Sequence, residues 1–113
     1  MSTEQHPRYR LSETLHQPVR FSIAAALAAT ESMDFGTLRD RIQVSDSVLS
    51  KQITILEQAG IVQVKKGFVG KRPRTWLTLT SAGRAAWAAH LAALREIAGV
   101  GGGWKAGLGV EAP

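Results

Sequence analysis

The sequence predicts a mainly α fold with a small β-hairpin, an α+β class, and three observations carry that expectation. Apolar residues recur at helical spacing from about residue 18 to 59, the period drops to two after Gly60, and helical spacing returns after Ser81. The order is therefore helix, helix, helix, hairpin, helix. At 113 residues, 44% hydrophobic and 20% charged, the chain fits one compact domain that buries a core.

Each element has a local cause. Residues 1–11 are polar and aperiodic and read as a flexible tail, with the folded domain over 12–98. A short helical turn is expected over Ser12 to His16. Pro18 then suits a first helical turn, where its missing N–H costs nothing, and Val19, Ile23 and Leu27 follow at spacing four. This gives a helix from about 18 to 29. After an apolar link at Met33 to Phe35, a second helix over about 37–43 turns Leu38 and Ile42 inward and Arg39, Asp40 and Arg41 outward. Ser45 is a good N-cap for a third helix, 46–59, and Gly60 suits the left-handed position that ends it. Ile61 to Lys65 and Thr75 to Leu79 are rich in β-branched and aromatic residues and pair as a hairpin. Ser81 caps a last helix to about 98. From Gly99 onward 6 of 15 residues are glycine, so 99–113 reads as a flexible tail in which Trp104 has no assigned role.

The charge is concentrated. Fourteen Lys and Arg against nine Asp and Glu give +5, and the segment 65–74 alone holds Lys65, Lys66, Lys71, Arg72 and Arg74 with no acid. Two glycines and a proline argue for an exposed loop there. Such a cluster attracts phosphates, whose displaced counterions drive binding, although a hairpin tip charged for solubility has the same composition.

The third helix divides into faces. Leu49, Ile53 and Leu56 belong to the core; Ser47, Ser50, Lys51, Thr54 and Gln58 form a face that is uncharged-polar or basic. The short link before it is that of a helix-turn-helix. Hydroxyl, amide and ammonium groups on that face match base edges and phosphates in a major groove. An ordinary solvated face would mix Glu with Lys, whereas no acid intervenes between Asp46 and Glu57. On the last helix, Trp87, Leu91, Leu94 and Ala98 alternate four and three like a coiled-coil seam, with His90 beside them, among many alanines. This stripe is expected at a homodimer interface; covering the hairpin and first helix within one subunit is the alternative.

Other classes find no support. The absence of cysteine excludes disulfides, thiolate zinc sites and iron–sulfur clusters. No Gly-x-Ser-x-Gly elbow occurs, and Gly67 to Arg72 lacks the spacing and hydroxyl of a phosphate loop. Asp34, Asp40 and Asp46 recur every six residues, which fits no calcium loop, and His16 with His90 lacks further ligands at metal spacing. The stretch 23–29 is too short to span a bilayer, and the N-terminus has no apolar signal core. No enzyme, cofactor, metal site or membrane partner is expected, and the expected compartment is the cytoplasm.

Taken together, these segments resemble the winged helix-turn-helix transcriptional regulators of the MarR/ArsR type, especially short single-domain members, over about residues 15–98. The resemblance rests on Gln17-Pro18-Val19-Arg20, Leu49-Ser50-Lys51-Gln52-Ile53, Leu56 to Val62, Pro73-Arg74-Thr75-Trp76, and Leu79-Thr80-Ser81-Ala82-Gly83-Arg84. It implies a homodimer on a pseudo-palindromic double-stranded DNA operator, acting as a repressor. Ser47, Ser50, Lys51 and Thr54 would face the major groove. Lys66, Lys71, Arg72 and Arg74 would act from the wing, with Arg72 at its tip in a narrow minor groove. The Asp-x-Arg wing element of larger MarR proteins is not present. Any small-molecule effector is left open, and a winged-helix module that binds protein rather than DNA is the alternative function.

Overall fold

A computed structural model describes residues 4–99. It contains α1 (Glu13–His16), α2 (Pro18–Ala28), β1 (Met33–Asp34), α3 (Phe35–Ile42), α4 (Asp46–Gln58), β2 (Val62–Val69), β3 (Arg72–Leu79) and α5 (Ser81–Ala98). The strands form one antiparallel sheet in the order β1-β3-β2. The core lies between this sheet and the helices. It is built from Leu15, Ile23, Leu27, Leu38, Leu49, Leu56 and Leu77, all essentially excluded from solvent.

The helices end where their caps dictate. Gln17 accepts from the Arg20 amide and Pro18 opens α2, Asp34 accepts from the Thr37 amide at α3, and Ser45 accepts from the Val48 amide at α4. Between α3 and α4 the chain turns through residues 43–45. Gln43 adopts the left-handed conformation at φ 58°, and both its amide and that of Val44 donate to the Arg39 carbonyl. Val44 then packs on the core.

Four expectations change. The stretch Met33 to Phe35 is not merely a link, because Met33 and Asp34 pair with Leu77 and Trp76 as a third strand, and α3 begins at Phe35. The cap of α5 is Thr80 rather than Ser81: its Oγ1 accepts from the Gly83 amide at 2.8 Å and donates to the Gly60 carbonyl at 2.6 Å. That one hydroxyl ties the start of α5 to the corner after α4. Gly83 is needed at this corner, since a Cβ there would lie 2.1 Å from the Ile61 carbonyl oxygen. The polar N-terminal segment, expected as tail throughout 1–11, instead forms a 3-10 turn over Pro7–Arg10 packed against α5. Pro7 is buried there, and Arg10 pairs with Glu96.

The fourth change concerns the basic segment. It is not a loop but ladder: Val69 pairs with Arg72, so only Gly70 and Lys71 form the turn. Gly70 at φ +62°, with no positive φ at Lys71, matches the Gly-X pattern of a type II′ hairpin. The glycine-rich tail and Trp104 lie outside the described residues.

Candidate nucleic-acid interface

Helix α4 is anchored before it is offered to solvent. Leu49, Ile53 and Leu56 hold its inner face in the core. Arg20 of α2 donates to the Gln52 side chain at 2.7 Å and to the Thr14 carbonyl at 2.6 Å, which fixes Gln52 to the scaffold. Arg39 of α3 pairs with Asp40 and, at 3.0 Å, with Asp46 in the first turn of α4. Both ion pairs are exposed and contribute little stability. They do offset the one acidic side chain at the helix end nearest an incoming polyanion.

Ser47, Ser50, Lys51 and Thr54 are all exposed on the outer face. The Thr54 hydroxyl donates to the Ser50 carbonyl at 2.9 Å, which spends its proton and leaves the oxygen as an acceptor.

The pleat sorts the hairpin residues. Lys66 opposite Thr75 and Phe68 opposite Pro73 continue the face that carries Val64 and Leu77 into the core. Lys65, Val69, Arg72, Arg74 and Trp76 occupy the other face. A groove between α4 and the hairpin is lined by Ser50, Thr54 and Glu57 on one side and by Lys66 and Thr75 on the other. Of the basic residues singled out from sequence, Lys66 therefore joins the α4 face directly, and Lys71 sits in the turn. Arg72 lies beside the turn, not at the tip, and points with Arg74 to the opposite face.

Arg74 leans back along the sheet, its guanidinium 5.9 Å from the Trp76 ring centroid. A hydrogen bond from the Thr37 hydroxyl holds the Asp34 carboxyl below its usual range, and the Arg74 charge adds to this.

Sequence reasoning missed three members of this surface. Thr75 and Glu57 enter the groove because of the hairpin register and the α4 rotation. Phe68 is 73% exposed, and an aromatic inside a basic run was the signal for it.

The α5 stripe divides. His90 is 1% exposed within its own chain: Nδ1 accepts from the Ser12 amide at 3.0 Å, and the ring meets His16 and Phe21. It is an interior residue of its own chain. Trp87 is half-buried with its ring 4.9 Å from Phe21. Leu91 and Leu94 are half-buried, whereas Ala98, Ala85, Ala88, Ala89 and Ala92 are exposed.

A profile described as "Winged helix DNA-binding domain" matches residues 19–98. The chain belongs to this family. Helix α4 is the second helix of its helix-turn-helix, and the β2–β3 hairpin is its wing. An uncharacterized protein of Methanocaldococcus jannaschii is 32% identical over 69 residues, covering 61% of this chain and 75% of that protein. Among solved structures, a transcriptional regulator homologue from Pyrococcus horikoshii OT3 superposes with a TM-score of 0.73. It is 26% identical, over 77% of this chain and 86% of the other. A MarR-family regulator from Porphyromonas gingivalis W83 shares the fold at a TM-score of 0.62 and 21% identity, over 87% and 91% of the two chains. These likenesses mark the winged-helix domain as DNA-binding and regulatory, not catalytic. Among the described residues, no helix is long and apolar enough to cross a membrane.

Proposed function

We propose that this winged-helix chain is a sequence-specific regulator of transcription that acts as a homodimer on double-stranded DNA and represses by occupying a promoter. The observation that carries the reading is the groove between α4 and the wing, where Ser50 and Thr54 stand opposite Lys66 and Thr75. With Ser47 and Lys51 on the same helix face, these groups meet base edges and phosphates when α4 enters a major groove. Lys66, Lys71, Arg72 and Arg74 then lie on both faces and the turn of a narrow ribbon. That distribution fits a wing seated beside a minor groove with a phosphate strand on either side.

The second subunit joins through the exposed side of α5. Ala85, Ala88, Ala89 and Ala92 share one exposed arc that lets a partner helix approach closely, and the stripe of Trp87, Leu91, Leu94 and Ala98 lies beside it. Twofold symmetry then sets two recognition helices about one DNA turn apart, ~34 Å, and makes the operator pseudo-palindromic. Selection of bound duplexes from a random-sequence pool tests this. An enriched inverted repeat with that spacing is expected, and enrichment of an unrepeated site, or no enrichment, contradicts it.

A further inference from the structure

Beside the Gly70-Lys71 turn the wing exposes two apolar side chains among its basic ones. Phe68 is 73% and Val69 49% exposed, the first of these exceeding every other exposed large apolar residue described. They adjoin the two-residue turn of a hairpin whose last core pair is Val64 with Leu77. At ~3.4 Å per residue, the tip stands roughly 17 Å beyond that pair. Neither side chain supports the fold from there.

Exposing an aromatic ring at such a tip forgoes the free energy of burial, which a partner covering the ring would restore. The surroundings select the partner. Lys66 shares the ring's face, Lys71 stands in the turn, and Lys65, Arg72 and Arg74 lie on the opposite face of the same ribbon, with no acid among them, which favours a polyanion and disfavours tip-to-tip pairing with a second copy. The register sets Phe68 beside Pro73 on the α4 side, on the same face as Lys66. A duplex engaged by α4 therefore meets this ring.

We propose that Phe68, beside Pro73, is an apolar wedge that enters the minor groove and opens a base step. The inference rests on the DNA-binding reading above and adds a specificity determinant to it. Wedging costs least at pyrimidine–purine steps, which unstack readily, so the protein selects a flexible step at a position where it makes no base hydrogen bond. The basic residues hold the flanking phosphates while the ring presses on the step.

The test uses the full chain and two labelled A·T-rich duplexes, identical except that one has a TA step and the other an AA step, with 2-aminopurine at the step. The parent is expected to raise the 2-aminopurine fluorescence and to favour the TA duplex several-fold. Phe68→Ala is expected to lose both effects and keep the salt dependence of binding; Phe68→Leu is expected to retain part of each. Arg72→Ala with Arg74→Ala is expected to do the reverse, flattening the salt dependence and keeping the preference. Because Phe68 is largely solvated, its replacement leaves the fold intact, which thermal unfolding checks. Steep salt-dependent binding with Phe68→Ala indistinguishable from the parent overturns the wedge alone. Absence of duplex binding by the parent overturns the DNA reading and the wedge with it. Loss of binding to anionic phosphatidylserine vesicles in Phe68→Ala, with DNA binding unchanged, overturns the wedge in favour of a membrane role for the tip.

Discussion

His90 is the residue whose environment departs furthest from its sequence reading. It looked like a seam residue because it lies one position from Leu91, but the chain closes over it: α1 and α2 supply Ser12, His16 and Phe21 around the ring. Since Nδ1 accepts the Ser12 amide, the proton sits on Nε2, which has no hydrogen-bond partner among the described residues. Burial, with the nearby His16 charge adding to it, pushes the His90 pKa below its ordinary 6.5. Below that value the unfolded chain takes up a proton that the folded chain refuses. Stability therefore falls as pH drops from about 6.5 toward the lowered folded value, and rises with pH across that window. Urea unfolding between pH 5 and 7.5 should resolve this slope in the parent and a smaller one in His90→Gln; equal slopes would contradict it. A second residue-scale prediction concerns Gly83. Its absent Cβ makes room for the Ile61 carbonyl, and because that obstacle is backbone the clash is not relieved by a rotamer change. Gly83→Ala should cost about 3 kcal/mol, read as a lower urea midpoint, and an unchanged midpoint would refute the close approach.

At the scale of elements, periodicity and caps made the helices legible. The alternation Leu49, Ile53, Leu56 fixed which side of α4 is buried, so its outer residues could be named from sequence, and Ser45 fixed where it begins. The stop signal Gly60 was equally informative, since it adopts positive φ. What escaped were features set by partners distant in sequence. The pairing of Met33 and Asp34 with β3 has no local signature in two residues. The ladder through the basic segment defeated a loop reading because Pro73 and Gly67 sit where an edge ribbon tolerates them. Which face of that ribbon Lys66 and Arg72 occupy depends on register, and a slip of one residue would exchange them. The N-terminal turn was hidden because the helix it packs on, α5, is distant in sequence, although Pro7 at its first position and the His6 cap on the Arg8 amide are local signals. For α4 itself, Lys51→Ala and Thr54→Ala should change the preference among duplex sequences by about 1–3 kcal/mol per lost base contact, measured by competition between duplexes. A uniform weakening across all sequences would assign both side chains to phosphates instead.

For the whole molecule, the excess charge and the geometry describe one surface. The net +5 equals the charge of segment 65–74, and the fold brings Lys66 of that segment next to an α4 face that carries Ser50 and Thr54, with Glu57 one turn further on. Hydrogen bonds tie the scaffold to this surface where they meet: Arg20 holds Gln52, and Thr80 joins the α4–β2 corner to α5. Polar groups on a helix anchored in the core, followed by a projecting basic ribbon, form the arrangement the proposed regulator needs, and the proposed dimer would use the exposed alanines of α5. The most direct test of this account is fluorescence anisotropy of a labelled duplex across a salt series, for the parent and for Arg72→Ala with Arg74→Ala. The account predicts a steep fall in log affinity with log salt for the parent, and a slope shallower by about one unit for each phosphate contact removed in the variant. Parent binding that is weak and insensitive to salt, or a variant with an unchanged slope, would contradict it.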